Sequence, residues 1–395
     1  MRVEGDFINI NKKLLPLSWV YGMAVGFRNT LFEMSVLKSR SFSVPVISVG
    51  NITVGGTGKT PHVEYLAGLL KDKVHTAILS RGYKRKSHGF ILADKDTPMH
   101  DIGDEPFQMK QKFPDVEVAV DKKRTKGIEK LMGGVTDQEV EVVLLDDAFQ
   151  HRYVKPGINI LLVDYHRLII YDELLPAGRM REPLKAKNRA DIVIITKCPK
   201  DLKPMEFRVI TKAMQLFPYQ QLYFTTLDYE SLKPLYPQAK DQSLSLEDLQ
   251  GKNILLLTGI ASPEQMIHDL DPHVAQITPL TFGDHHDFRK KDILRINEAF
   301  AALPSPKLII TTEKDAVRLN GVEGLSDEVK AALYVLPLKI SFIFDEEKEK
   351  FNKRILGYVQ KNSRNSILVK DKDDHKPKDS DRAGDRPRTI SFRNN

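Results

Sequence analysis

Only one cysteine, Cys198, occurs in 395 residues. No intramolecular disulfide can form, a reducing compartment suits the chain, and the thiol is expected to be a small buried hydrophobe. Internal repeats are absent. Lysine and arginine are scattered with no aromatic-basic platform, so no nucleic-acid partner is expected. The apolar stretch at 14–27 (LLPLSWVYGMAVGF) ends at Arg28, with Glu33 soon after. It falls short of the roughly twenty apolar residues that span a bilayer. Lys12 and Lys13 before it imitate a signal peptide, but no small-x-small cleavage site follows. An interfacial helix, with Trp19 and Tyr21 between basic flanks (Lys12, Lys13, Arg28, Lys38, Arg40), fits this stretch, as does a helix packed on the protein's own core.

What is present is a globular composition, 41% hydrophobic and 29% charged, long enough for two domains. A net charge of +7 favours anionic partners: nucleotides, nucleic acid or an anionic membrane surface. Charge alone does not choose among them.

Residues 50–61 read GNITVGGTGKTP and follow the apolar run 44–49. Strand, glycine-rich turn, Lys-Thr and helix in that order surround a phosphate with backbone N–H groups at a helix N-terminus. Thr53, Val54, Gly55, Gly56, Thr57 and Gly58 form the loop; Lys59 would reach the β- and γ-phosphates and Thr60 would hold Mg²⁺. Thr53 stands where the usual pattern has a glycine. Gly55, Gly56 and Gly58 still give the turn its freedom at positive φ, and Pro61 is tolerated in the first helical turn. Val63, Leu66, Ala67 and Leu70 then keep a 3.6-residue period.

Short Val/Ile/Leu-rich segments recur at 44–49, 76–79, 116–120, 142–145, 158–163 and 192–195. Nearly continuous apolar runs between helical stretches predict buried parallel strands in a doubly wound α/β sheet. The pattern weakens at 200–250, with a bridging strand expected at 222–227. A second, smaller α/β unit follows, with strands at 253–258, 307–311 and 333–336. The expected division is an N-terminal segment 1–40, a nucleotide domain 41–215, a second domain 216–361 and a charged, disordered tail 362–395.

The strand at 141–147 (EVVLLDD) ends in two carboxylates, Asp146 and Asp147, where a parallel sheet meets its ligand and could hold Mg²⁺. Ala148–Arg152 follow on a loop facing the site; His151 also reads as a structural histidine. Gly103-Asp104-Glu105-Pro106 offers a carboxylate to accept a hydroxyl proton. The same residues suit a helix N-cap, which the sequence alone favours. Arg81 and Tyr83, after the second strand, could contact an acceptor or a phosphate. Arg179, Arg181 and Glu182 lie in a Pro/Gly-rich loop, either neutralising a transferring phosphoryl group or forming an ordinary salt-bridge loop. FGDHHDF (282–288) reads as a histidine paired with a catalytic carboxylate or as a polar loop, and makes a poor metal chelate.

GNITVGGTGKTP, SRGY, GDEP, DDAFQH, LLPAGRMREP, DHH and TTEKDAV, in this order, resemble the tetraacyldisaccharide 4'-kinase family, the lipid A 4'-kinases, over about residues 10–345. The family shares the departure at Thr53. The resemblance implies a P-loop NTPase-type fold and an enzyme that uses ATP and Mg²⁺. It would phosphorylate the 4'-hydroxyl of a tetraacylated glucosamine disaccharide 1-phosphate to give lipid IVA, at the cytosolic face of the bacterial inner membrane. By the same resemblance Asp104 would be the base, paired with a histidine of the DHH loop, taken as His285 rather than His286. Lys59 would serve the phosphate. Thr60, Asp146, Asp147 and Glu182 would surround the metal, Gln150 would line the nucleotide site, and Arg81, Tyr83, Arg124 and Arg181 would face substrate and transition state. Two rival readings remain: a kinase for a soluble sugar or nucleotide, and a nucleotide-driven membrane scaffold.

Overall fold

The computed structural model describes residues 8, 10–239, 243–260, 263–283 and 286–374. The chain enters through helix α1 (Leu15–Glu33), then alternates strands with helices. The strands that follow are β1 (Val46–Gly50), β2 (Thr76–Ser80), β3 (Ile91–Ala93), β4 (Glu117–Val120), β5 (Val142–Asp146), β6 (Ile158–Asp164), β7 (Ile192–Thr196) and β8 (Gln221–Tyr229). A second set comprises β9 (Lys233–Pro234), β10 (Asn253–Thr258), β11 (Gln276–Thr281), β12 (Lys307–Thr312) and β13 (Leu333–Leu336), before β14 (Leu338–Phe342). Between them lie α2 (Lys59–Leu70), α3 (Met99–Ile102), α4 (Asp104–Lys112), α5 (Arg124–Met132), α6 (Pro204–Met214), α7 (Glu264–Leu270), α8 (Lys290–Ala302), α9 (Glu313–Leu319) and α10 (Asp327–Ala332). Helix α11 (Asp345–Asp374) closes the described chain.

The large sheet runs β14-β8-β7-β6-β1-β5-β2-β4-β3, parallel except for β3 and β14 at its edges. Strand β1 sits between β5 and β6, so its outgoing loop opens at the crevice where α/β sheets bind ligands. The interior strands β1, β2, β5 and β7 are buried along their whole length, which is why they read as unbroken apolar runs. The stripe Val63, Leu66, Ala67 and Leu70 of α2 is buried in the same core. The small sheet, β11-β10-β12-β13-β9, has its own core around Leu255, Leu257, Ile296, Phe300 and Ile309.

Sheet membership differs from the expected 215/216 division. Strand β8, the expected bridging strand, pairs in parallel with β7, so the large sheet extends to Tyr229. After the small sheet the chain returns: β14 pairs antiparallel with β8, and Phe351, Ile355 and Val359 of α11 join the large core. The small unit is therefore inserted between two strands of the large sheet. Residues 362–374, expected within a charged tail, continue α11, and the rest of that tail lies outside the described residues.

Helix α1 is amphipathic in an inverted sense. Its buried side chains are Ser18, Asn29 and Phe32. Ser18 donates to the Leu174 carbonyl (2.9 Å) and accepts from the Ala177 amide (2.9 Å). The Tyr21 hydroxyl donates to the Arg181 carbonyl (2.9 Å), and Asn29 donates to Glu182 (3.1 Å). Polar groups thus fasten α1 to the 172–182 loop while Leu17, Trp19, Val20, Met23 and Phe27 stay exposed, Trp19 at 69%. Among the described residues no helix is long and apolar enough to cross a membrane.

Candidate active site

The loop leaving β1 is braced from three sides. Asn51 donates through Nδ2 to Thr57 Oγ1 (2.8 Å), accepts at Oδ1 from Arg181 (2.6 Å), and its carbonyl accepts from Gln150 Nε2 (2.6 Å). Thr53 bridges Met180 in antiparallel fashion, and the Val54 amide bonds the Arg179 carbonyl (2.8 Å). The Pro/Gly-rich arginine loop is therefore a structural wall of the phosphate loop. Gly55 (φ 120°) and Gly58 (φ 78°) take backbone conformations that L side chains resist, and Gly58 caps α2. Lys59 and Thr60 follow as the first residues of that helix. His62 anchors the turn from below: Nδ1–H donates to the Gly58 carbonyl (2.7 Å), and Nε2 accepts from Thr225 Oγ1 of β8 (3.1 Å). Burial pulls its pKa down to about 4, so it is a neutral tautomer.

The carboxylates at the end of β5 face this loop. Lys59 Nζ lies 3.8 Å from Asp147 Oδ1, and Arg181 lies 3.6 Å from Asp147 Oδ2. Asp147 adopts a left-handed backbone (φ 45°), which turns its side chain out of the strand direction. Asp146 is buried and accepts from Ser80 (3.0 Å). Burial first, then the neighbouring Asp147, push its pKa up to about 6, against the opposing pull of Lys59. Beneath them the buried Arg124 donates to the Asp121 and Asp146 carbonyls, both at 3.0 Å. Desolvation brings it to about 10, and Asp146 and Asp147 act the other way. Arg124 thus supports the strand end through backbone contacts as well as charge. His151 is pulled down to about 4, by burial and then by Arg124, Arg28 and Arg81, so it is neutral beside three cations.

Asp104 is the first residue of α4, and Gly103 (φ 92°) is the cap, with no side-chain cap bond. The helix-cap expectation for Asp104 is therefore corrected: its carboxylate accepts instead from Arg318 Nη2 of α9. Gly103 is required there, because a Cβ would lie 2.9 Å from the Tyr83 carbonyl. Two further ion pairs join the same helices, Lys314–Glu105 (3.7 Å) and Lys112–Glu313 (3.0 Å). Arg318 also lies 3.7 Å from the fully buried Asp315. The negative charge of Glu105 is a further, smaller cause of the raised pKa of Asp146, after burial and Asp147.

His286 bonds Asp292 (2.9 Å) and stacks on Phe282 (centroids 4.9 Å), a pairing internal to the small unit. Asp284 and His285 lie outside the described residues. Glu182, expected near the metal, is buried with its carboxylate engaged by Arg189 (2.9 Å) and Asn29 (3.1 Å), bracing α1 against the arginine loop. Arg81 is exposed at the end of β2, and Tyr83 is 57% exposed. Sequence reasoning missed Arg318, Arg189, Asn51 and His62. Arg318 had a signal: it follows Asp315 by three residues, one turn along a helix.

Among the described residues no three His, Cys, Asp or Glu side chains form a metal-holding group. Mg²⁺ does not need one, because it commonly binds one or two carboxylates together with substrate phosphates and water. Asp146, destabilised as an anion by burial and by Asp147, and the half-exposed Thr60 suit such a site.

Residues 10–389 match the family model described as tetraacyldisaccharide-1-P 4'-kinase. The chain belongs to the tetraacyldisaccharide-1-P 4'-kinase family. It is 57% identical over 366 residues to the tetraacyldisaccharide 4'-kinase of Phocaeicola vulgatus, covering 92% of this chain and 99% of that protein. It is 52% identical over 380 residues to the enzyme of that name from Bacteroides thetaiotaomicron, covering 94% and 100%. The crystal structure of LpxK from Aquifex aeolicus in complex with ATP superposes with a TM-score of 0.67 at 30% identity, covering 87% of this chain and 99% of that one. This chain and the Aquifex aeolicus protein thus share one mixed α/β architecture.

Proposed function

We propose that this chain is an ATP- and Mg²⁺-dependent kinase that phosphorylates the 4'-hydroxyl of a tetraacylated glucosamine disaccharide 1-phosphate, with Asp104 as the base. Family membership supports the reaction. The observation that supports the residue assignment is the run of contacts along the strand ends: Ser80, which closes β2, donates to Asp146 (3.0 Å), and the loop after β2 packs its Tyr83 carbonyl against Gly103 of the GDEP turn.

Each residue then has a physical task. The backbone of Val54–Gly58 offers N–H groups to the β-phosphate, and Gly58 and His62 hold that turn rigid. Lys59 neutralises charge on the transferring group, and Arg181, fixed by Asn51 and the Thr53 carbonyl, does so from the opposite wall. Thr60 and the Asp146–Asp147 pair would hold Mg²⁺, which would supply positive charge to offset that of the phosphates. Asp104 accepts the sugar hydroxyl proton as that oxygen attacks the γ-phosphorus, the bond from phosphorus to the β,γ-bridging oxygen breaks, and ADP leaves. Phosphoryl transfer asks mainly for positioning and charge neutralisation, and these groups supply both. Gln150, bonded to the Asn51 carbonyl, supports the loop on the nucleotide side. His285 is the proposed partner of Asp104 within the DHH loop.

The outward apolar face of α1 favours contact with the acyl region of a membrane, with its polar face on the 172–182 loop. We assign this contact to the cytosolic face of the inner membrane, where ATP is available. Incubation with γ-labelled ATP, Mg²⁺ and detergent-dispersed acceptor should move label to the lipid, and phosphorus–proton correlation should find the new ester at the 4' position. ATP consumption without a labelled lipid would refute the reaction.

A further inference from the structure

Lys112, the last residue of α4, places its ammonium 2.7 Å from Glu64 Oε2 of α2 and 3.0 Å from Glu313 Oε1 of α9. Each of the three helices that meet at this one charge carries a residue of the candidate site. Glu64 lies one turn beyond Thr60 on the helix that opens with Lys59. Glu313 opens the helix that carries Arg318, and α4 opens with Asp104. We propose that Lys112 is a positioning residue for phosphoryl transfer: it ties the phosphate-loop helix and the small unit to the helix of the base, and so sets where Asp104 stands relative to Lys59. This rests on the function proposed above.

Three observations carry the assignment. The first is that both carboxylates are held from their far sides. Gln108 Nε2 donates to Glu64 Oε1 (2.8 Å), and the Leu338 amide, at the start of β14, donates to Glu313 Oε2 (3.3 Å). Lys112 therefore meets two oriented acceptors, one on each neighbouring helix. The second is burial. The Glu64 side chain is 5% exposed, and burial pushes its carboxyl up to about 7, with Lys112 pulling it back and Glu313 adding to the rise. Desolvation also opposes the Lys112 charge, but Glu64 and Glu313 outweigh it and hold its pKa above the ordinary value. Loss of that ammonium would leave two neighbouring carboxylates uncompensated. The third is how α4 meets α9. The helices run antiparallel, with Asp104 beside Arg318 in the last turn of α9 and Lys112 beside its first residue. Glu105 and Lys314 pair between them, while Phe107 and Met109 of α4 pack in the large core. Ion pairs at both ends thus set the slide and rotation of α4 against the small unit. The helix spans only about 13 Å, so a shift at Lys112 is carried to Asp104.

Transfer of label from γ-labelled ATP to the detergent-dispersed acceptor tests this in wild type, Lys112→Met, Lys112→Arg and Glu313→Gln, with ATP affinity and melting temperature measured in parallel. Lys112→Met keeps an apolar stem and removes the charge. It should lower kcat about tenfold, since small misplacements of a reacting group cost rates of that order. Its ATP affinity should stay within about twofold of wild type, because the role lies in positioning rather than binding. Lys112→Arg should retain most of the rate. Glu313→Gln cuts only the link to the small unit and should show a smaller loss in the same direction; it carries the test if Lys112→Met does not fold. The deciding measurement repeats Lys112→Met in an Asp104→Asn background. If Lys112 acts through the base, the second change should add less than about twofold to the first, the non-additivity expected of residues that act as a unit. Two losses that multiply in full, wild-type rates in both Lys112→Met and Glu313→Gln, or a loss carried wholly by ATP affinity would each overturn the positioning role. Wild type that transfers no label would instead refute the reaction on which it rests.

Discussion

Arg318 of α9 donates to the Asp104 carboxylate across the boundary between the small unit and the large sheet. The pair links the proposed base to an element more than two hundred residues later in the chain. Arg318 is 3% exposed and lies against the buried Asp315, so its charge has little access to water. Removing one partner of such a pair leaves the other uncompensated, at a cost of about 3 kcal/mol or more. Arg318→Gln should therefore lower the urea unfolding free energy by that order and reduce transfer at least tenfold. Unchanged transfer by a folded variant would mean that the pair does not orient Asp104.

Lys59 faces Asp147 at 3.8 Å at the start of α2. The role proposed for it is electrostatic and concentrated in the transferring state, so Lys59→Ala should lower kcat by roughly 10²–10³-fold, like the loss of a preorganised charge donor. Thermal stability should change little, because the side chain is only part-buried. Steady-state kinetics with melting curves checks both.

His62 sets a pH dependence of stability. Its folded pKa lies near 4, below the ordinary 6.5, because burial disfavours the imidazolium. The unfolded chain binds the proton more readily, so this stability is complete above pH 6.5 and is lost as pH falls from there towards 4. The loss amounts to about 3 kcal/mol at most over that window. Urea titrations at pH 7 and pH 5 should show a steeper loss in wild type than in His62→Gln. Parallel slopes would contradict the assignment.

Much of the fold was legible, and the reason is burial. Strands β1, β2, β5, β6 and β7 are enclosed on both faces, so each appears in the chain as an apolar run. The missed strands are those the enclosure does not reach. β3 is three residues at an edge, and β11 is largely accessible and contains Pro279. β14 finds its partner β8 about a hundred residues earlier, a pairing that no local pattern announces. The glycine-rich loop and the two aspartates that close β5 were legible because backbone freedom and strand-end carboxylates are properties of adjacent residues. Arg318, Arg189 and Asn51 act through partners distant in sequence, and residue type alone does not say whom an arginine meets.

The outward face of α1 should govern membrane contact. Replacing Trp19 and Phe27 together with serine removes two large exposed apolar groups while leaving Ser18, Tyr21 and Asn29 on the loop. Sedimentation with anionic vesicles should fall at least tenfold, since insertion scales with buried apolar area. Transfer to acceptor dispersed in detergent should persist. Undiminished vesicle binding would move the contact elsewhere on the surface.

The central claim is that Asp104 takes the proton from the acceptor hydroxyl. The most direct measurement follows label from γ-labelled ATP into the lipid under Mg²⁺, comparing wild type with Asp104→Asn and Asp104→Ala, with nucleotide affinity determined in parallel. The account predicts a fall in kcat of at least 10²-fold in both variants with ATP affinity nearly unchanged, since general-base assistance contributes about that much. Near-normal transfer by either variant would contradict it.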